Sequence, residues 1–235
     1  MKILSLGAGV NSTALLVLKS QGKVDFDVAV FADTGGEHPE TYQYIEQVIK
    51  PFCILHNIPL EIVKREGEDL YEYSLERKII PTRMFRSCTD KFKIRTLKKH
   101  VLRKYLEQGI TFLIGISAEE KERAKSGCGN EYPLLDLGID REGCKKIIQD
   151  AGLPIPIKSG CYFCPFTSKK GWINLLKKHP DLYLKAETLE KNCSRYPEFT
   201  LSNISLERAR KSVEDQKNLC SWISKCEMCE VEDNE

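Results

Sequence analysis

An α/β fold built on a mostly parallel sheet is what this chain predicts, on three observations. Short apolar runs recur along its first half and read as buried strands. Stretches with helical periodicity separate those runs, as crossover helices would. A glycine-containing turn joins the first run to the first helix, which places a site at the carboxyl edge of the sheet. The 235 residues suffice for one large domain, or one domain with an appendage.

The first run is Ile3 to Leu6. Gly7 and Gly9 follow it and permit a tight turn with close approach of a ligand. Asn11, Ser12 and Thr13 stand where a helix starts, and Ala14 to Leu18 continue it. FDVAVFAD, residues 26–33, reads as a second strand ending in Asp33. Pro39 opens a helix whose apolar stripe is Tyr44, Ile45, Val48 and Ile49. LEIVK, residues 60–64, is a third strand. A basic helix then runs from about Asp90 to Glu107, and ITFLIGIS, residues 110–117, is a fourth strand.

Near residue 118 the organisation changes. Charged and turn residues dominate to about Asp140, around the apolar YPLLDL. A helix is expected from Arg141 to Asp150. The prolines of LPIPIKSGCYFCPF oppose helix and favour an extended, turn-rich segment. Helical patterns resume near Lys170 and again over Leu206 to Leu219. The expected domains are therefore residues 1–175, and a small helical, Cys-rich C-terminal subdomain over 176–235.

Composition bounds the function. Hydrophobic residues make up 41%, ample for a core, and the formal net charge of +2 neither demands nor excludes nucleic acid. No apolar run reaches membrane-spanning length, and the chain enters a strand at once without a secretory pattern. A cytoplasmic protein without a membrane partner is expected. Ten cysteines in a reducing compartment favour metal binding or redox chemistry over disulfides.

The first turn and the helix behind it offer backbone N–H groups to an anion, so a phosphate site is expected there. No Lys follows the glycines as GxxxxGK[ST] requires, and the glycine spacing is not that of a dinucleotide fingerprint. Ser12 and Thr13 are the first phosphate contacts, with Asn11 as an amide donor or helix cap. Asp33 and Gly115 end strands that point to the same crevice. Glu37 near a helix N-terminus has a sufficient structural reason in the dipole, and His38 is a weaker candidate.

Four segments together carry a resemblance. The loop Gly7-Ala8-Gly9-Val10-Asn11-Ser12 is similar to the pattern SGGxDS, with Gly7, Ala8 and Asn11 standing for its first Ser, first Gly and Asp. FADTGGEHPETY, FRSCTDKFKIRTL, and GISAEEKERA followed by YPLLD match further regions. The chain resembles the N-type ATP pyrophosphatases, in their phosphoadenosine-phosphosulfate reductase-like branch, from residue 1 to about 175. That resemblance implies an adenine-nucleotide alpha hydrolase-like fold, with ATP and Mg²⁺ as cofactors. It implies cofactor contacts at Gly7, Gly9, Asn11, Ser12, Thr13, Asp33 and Gly115. Of the basic interval Arg83 to Lys99, it favours Arg86 and Lys91, which flank Cys88, as charge-stabilising groups. With Ser12 and Arg123 they make the expected catalytic set. Glu119 and Arg123 can equally form an ordinary helical ion pair.

The spacing in CYFCP lets Cys161 and Cys164 turn toward one ion or cluster. The resemblance, through RxCT and SGCxxCP, adds Cys88 and Cys144 to that site. Four thiolates suit a [4Fe–4S] cluster, with zinc as the alternative. Cys193, Cys220, Cys226 and Cys229 form a second candidate group for a Zn²⁺ staple. Cys53 and Cys128 stand apart.

The resemblance implies ATP-dependent adenylation of tRNA or DNA for sulfur insertion, releasing AMP and pyrophosphate. A sulfur-donor protein and a second copy in a homodimer are the expected partners. Phe85, Tyr162, Phe163 and Trp172 are candidates for stacking on bases or for core packing. Two alternatives stand beside this reading. One is a phosphoadenosine-phosphosulfate or adenosine-phosphosulfate reductase, although no terminal ECGxH-like segment is present. The other is a metal-stabilised nucleic-acid-binding module.

Overall fold

Successive residues of the first strand face two different cores in the computed structural model, which describes residues 1–105, 109–125, 129–195 and 197–214. The strands are β1 (Lys2–Leu6), β2 (Val28–Asp33), β3 (Leu60–Lys64), β4 (Thr111–Ile114) and β5 (Asn130–Glu131). The α-helices are α1 (Val10–Ser20), α2 (Pro39–Tyr44), α3 (Lys50–Leu55), α4 (Leu70–Glu76), α5 (Arg95–Lys104), α6 (Pro133–Asp136), α7 (Arg141–Asp150), α8 (Lys169–Lys178), α9 (Pro180–Asn192) and α10 (Leu206–Glu214). π-helical turns at Ile45–Ile49 and Thr89–Ile94 link α2 to α3 and lead into α5. The chain divides into two compact units: Met1–Glu66 with Asp90–Gly160, and Gly67–Thr89 with the chain from Cys161.

The first unit holds the sheet. Its strands lie in the order β3-β2-β1-β4-β5, and every pair is parallel. The strands need crossovers, which the helices supply. Because side chains alternate across a strand, Leu4, Ala29, Phe31 and Leu113 enter one core with α1 and α7. Ile3, Val28, Val30 and Val63 enter the other, against Leu97 and Val101 of α5. Both faces are covered, which explains why β1 and β2 read as continuous apolar runs. The chain order reverses between β1 and β4, so the crevice at their carboxyl ends is the topological switch point.

The second unit is helical among its described residues. Asp69 and Glu72 form a capping box that starts α4, and Ser168 caps α8 through the Gly171 N–H. Trp172 of α8 meets Tyr183 of α9 edge to face, with ring centroids 6.1 Å apart. The Tyr183 hydroxyl donates to the Leu206 carbonyl, fixing the start of α10. Arg210 and Lys191 both pair with Glu187, which is 5% exposed.

The parallel α/β reading therefore holds, and a distinct Cys-rich subdomain is not evident among the described residues. The units part after Gly160 rather than near residue 175, and the second includes Gly67–Thr89. Composition along the chain does not reveal that a segment between β3 and α5 packs with residues a hundred positions later. β5 also escaped the sequence reading, since two residues carry no periodicity. Most of the expected second cysteine group, Cys220, Cys226 and Cys229, and also Cys128, lies outside the described residues.

Candidate functional site

The loop after β1 turns through Ala8, the residue with positive φ (+53°), rather than through either glycine. Gly9 is the N-cap of α1 in an extended conformation and makes no side-chain cap. No acidic residue lies in the first turn of α1. The helix therefore presents uncapped N–H groups and the positive end of its dipole at the switch point. That is the electrostatics an anion needs.

Ser12 braces the loop from inside. Its Oγ accepts from the Gly7 N–H at 3.2 Å and donates to the Gly9 carbonyl at 3.2 Å. This hydroxyl sets loop geometry before it meets any ligand. Thr13 is 1% exposed, with its hydroxyl turned into the core beside Tyr44.

Asn11 ties the loop to the end of β4. Its Nδ2 donates to the Gly115 carbonyl at 3.2 Å and to Ser117 Oγ at 3.1 Å, with Glu120 Oε2 at 3.4 Å. A Cβ on Gly115 would come within 3.2 Å of the Asn11 and Ser12 backbone, so a side chain there would press the two loops apart by a few tenths of an ångström. The Asn11 Oδ1 is buried and has no hydrogen-bond partner among the described residues.

The loop after β2 adds a second group. Asp33 Oδ1 accepts from the Gly35 N–H at 2.8 Å and the Tyr42 hydroxyl at 2.6 Å, and Lys64 Nζ lies 3.4 Å from its Oδ2. Burial, with the Asp33 carboxylate beside it, pushes the Tyr42 phenol far above its ordinary range. Asp33 thus acts as a turn cap and anchor for α2. Glu37 is buried and pairs with Lys93 at 2.8 Å. That pair was not read from the sequence; a Glu three residues after a strand-end Thr carries no signal of burial.

The acidic edge differs from expectation. Residues Ala118–Arg123 form two 3₁₀ turns with a kink at Glu120, and Arg123 pairs with Glu120 rather than Glu119. Glu119 Oε1 instead accepts from the Arg141 N–H at 3.0 Å and from the Ser117 hydroxyl at 3.0 Å. Lys91 lies in the π-helical turn Thr89–Ile94, and its carbonyl accepts from the Thr96 hydroxyl at 3.4 Å.

In the second unit, Arg86 sits at φ +44°, a strained conformation for a side-chain-bearing residue. The guanidinium carbons of Arg83 and Arg86 lie 5.7 and 5.5 Å from the centre of the Phe166 ring. Phe85 and Phe166 are 61% and 45% exposed, whereas Tyr162, Phe163 and Trp172 are buried packing residues.

The expected cysteine clusters find no support. Among the described residues, no three His, Cys, Asp or Glu side chains gather to hold a metal ion. Cys144 is fully buried in the α1–α7 core, and burial, with Glu119 and Asp140 adding to it, pushes its thiol up to about 12. Cys88, Cys161 and Cys164 are partly exposed, and Cys193 is buried at the end of α9. Among the described residues, nothing in the structure supports a four-thiolate [4Fe–4S] or zinc centre. Nor does the loop supply a carboxylate cage for Mg²⁺, which would ride on nucleotide phosphates instead.

The sequence model of the phosphoadenosine phosphosulfate reductase domain matches residues 2–129, from β1 to the residue before β5. The chain belongs to this family. Its sheet is thus a PP-loop, adenine-nucleotide alpha hydrolase-like domain. An uncharacterised protein of Methanocaldococcus jannaschii is 25% identical over 197 residues, covering 77% of this chain and 45% of that protein. A second from the same organism is 35% identical over 108 residues, covering 46% of this chain and 20% of its own length. A nin region protein of Escherichia phage lambda is 30% identical over 195 residues, covering 70% and 65%. The chain thus spans less than two thirds of each of these relatives. The crystal structure of phosphoadenylyl-sulfate reductase from Candida auris, a phosphate complex, aligns over 66% of this chain and 74% of its own, at 16% identity and a TM-score of 0.47. Among the described residues, no helix is long and apolar enough to cross a membrane.

Proposed function

We propose that this PP-loop protein binds an adenine nucleotide with its phosphate tail on the loop after β1 and acts on the sulfate- or phosphate-bearing end. Sulfonucleotide reduction, with phosphoadenosine phosphosulfate or adenosine phosphosulfate as substrate, is the primary reading. The observation that carries it is the glycine-capped, acid-free start of α1 at the β1/β4 switch point. A thiolate attacking the sulfur breaks its S–O bond and displaces the nucleotide as an oxyanion, whose charge the α1 N–H groups and dipole stabilise as it forms; a second thiol then attacks the resulting S-sulfonated thiol, forming a disulfide and releasing sulfite. Ser12 and Asn11 hold the loop in place. Membership in the reductase domain family supports the same substrate class.

A second reading is ATP-dependent adenylation of tRNA or DNA for sulfur insertion. It is favoured by the exposed Phe85 and Phe166 beside Arg83 and Arg86, a pairing of rings and guanidinium groups suited to bases and phosphates. One assay separates the two. The protein is incubated with each sulfonucleotide and dithiothreitol, and separately with ATP and bulk tRNA or DNA. Sulfite release in the first mixture is expected under the primary reading. Pyrophosphate release that requires nucleic acid supports the second reading instead. Neither product overturns both.

A further inference from the structure

The structure assigns Ser159 as a phosphate-contacting residue of the loop after β1. The assignment rests on the nucleotide reading above and names a hydroxyl that no motif in the loop contains. A Cβ built on Gly9 would lie 2.8 Å from Ser159 Oγ and 3.7 Å from its Cβ. The Ser159 hydroxyl, from far along the chain, lies against Gly9 in the space a side chain there would enter. Gly9 is also the N-cap of α1, so this hydroxyl stands at the mouth of the anion site.

The loop needs such a donor. Gly7 carries no side chain, and the Ser12 hydroxyl is spent on the Gly9 carbonyl inside the loop. Ser159 comes from the segment after α7, and that segment is pinned. The Gly160 carbonyl accepts from the His38 N–H at 3.1 Å, and the Pro154 carbonyl accepts from the Tyr44 hydroxyl at 2.8 Å. Both anchors lie on the loop and helix that follow β2. The segment therefore joins the ends of β1 and β2 across the site, with a half-buried hydroxyl facing Gly9. Hydroxyl donation to a charged phosphate oxygen is among the stronger hydrogen bonds available to a serine.

The test uses the full chain and calorimetric titration with ATP, inorganic pyrophosphate and adenosine. Ser159→Ala is expected to weaken ATP and pyrophosphate about tenfold while leaving adenosine unchanged. Ser159→Thr keeps the hydroxyl and should stay within about threefold of the parent on all three probes. A general structural defect would weaken adenosine as well, which would overturn the assignment. Equal ATP and pyrophosphate affinity in the parent and Ser159→Ala would also overturn it. A parent chain that binds none of the probes overturns the nucleotide reading itself. As a check on the geometry, Gly9→Ala should lower the melting temperature, and adding Ser159→Ala should restore part of that loss. A melting loss that Ser159→Ala leaves untouched would count against the contact.

Discussion

Lys93 holds its ammonium 2.8 Å from Oε1 of Glu37, a carboxylate whose side chain has no exposed surface. The Thr34 hydroxyl donates to the same oxygen at 3.3 Å. The pair links the loop after β2 to the π-helical turn that leads into α5. It joins these two segments by charge rather than by apolar packing.

Removing one partner strands a buried charge, which costs far more than the pair itself contributes. Lys93→Met is expected to destabilise the chain by about 2–3 kcal/mol, reduced from the fully buried case because the ammonium is partly solvated. Adding Glu37→Gln should recover much of that loss. Urea unfolding of the two variants and the parent checks both statements.

Asn11→Asp would bring the loop nearer to the SGGxDS pattern, yet it should weaken the site. The amide donates to the Gly115 carbonyl and Ser117 and lies against the Glu120 carboxylate, roles a carboxylate cannot fill. The expected loss is about 1–3 kcal/mol of stability from acceptors facing acceptors. Thermal melting shows whether it occurs. A companion Glu120→Gln change should lessen the loss by removing the like charge.

Gly115→Ala tests the contact between the two loops. The added methyl meets backbone atoms at 3.2 Å, which cannot swing away as a side-chain tip can. Overpacking of this kind costs about 1–3 kcal/mol. ATP affinity should fall with it, because the loop that would bind the phosphates is the part displaced. Unchanged affinity with lowered stability would separate the loop contact from the ligand site.

Acid should loosen the sheet edge through Glu61. Burial resists its ionisation, but hydrogen bonds from Lys104, Tyr105 and His100 outweigh that and bring its carboxyl down to about 2. A depressed carboxylate stabilises the fold above its unfolded value of about 4.3 and loses that contribution as pH falls toward 2. Unfolding free energy should therefore decline across this window. Glu61→Gln should flatten that part of the profile, as denaturant titrations at successive pH values would show.

Local signals made much of this molecule legible. β3 and α7 fall on LEIVK and on Arg141–Asp150, as the sequence pattern foretells, and the structure adds that the Asp140 carboxylate caps α7 through the Gly143 N–H. The turn between β1 and α1 was readable because glycines beside a strand end and a Ser-Thr helix start are short-range facts. The role of Ala8 as the turning residue was not, since glycine is the ordinary host for positive φ. The surroundings of the cysteines were not readable for a related reason. Spacing groups residues along the chain, whereas Cys144 is committed to a helix face that packs on α1.

By itself, the sequence determined the alternation of strands and helices, the parallel sheet, and the glycine-containing turn between its first strand and first helix. These follow from periodicity and backbone preference, which act over a few residues. Only the tertiary structure decided that Asn11 meets Gly115, that Glu37 is buried against Lys93, and that Ser159 occupies the space beside Gly9. Each of these contacts joins residues more than fifty positions apart. Strand order and crossover packing bring them together, and no local pattern encodes either.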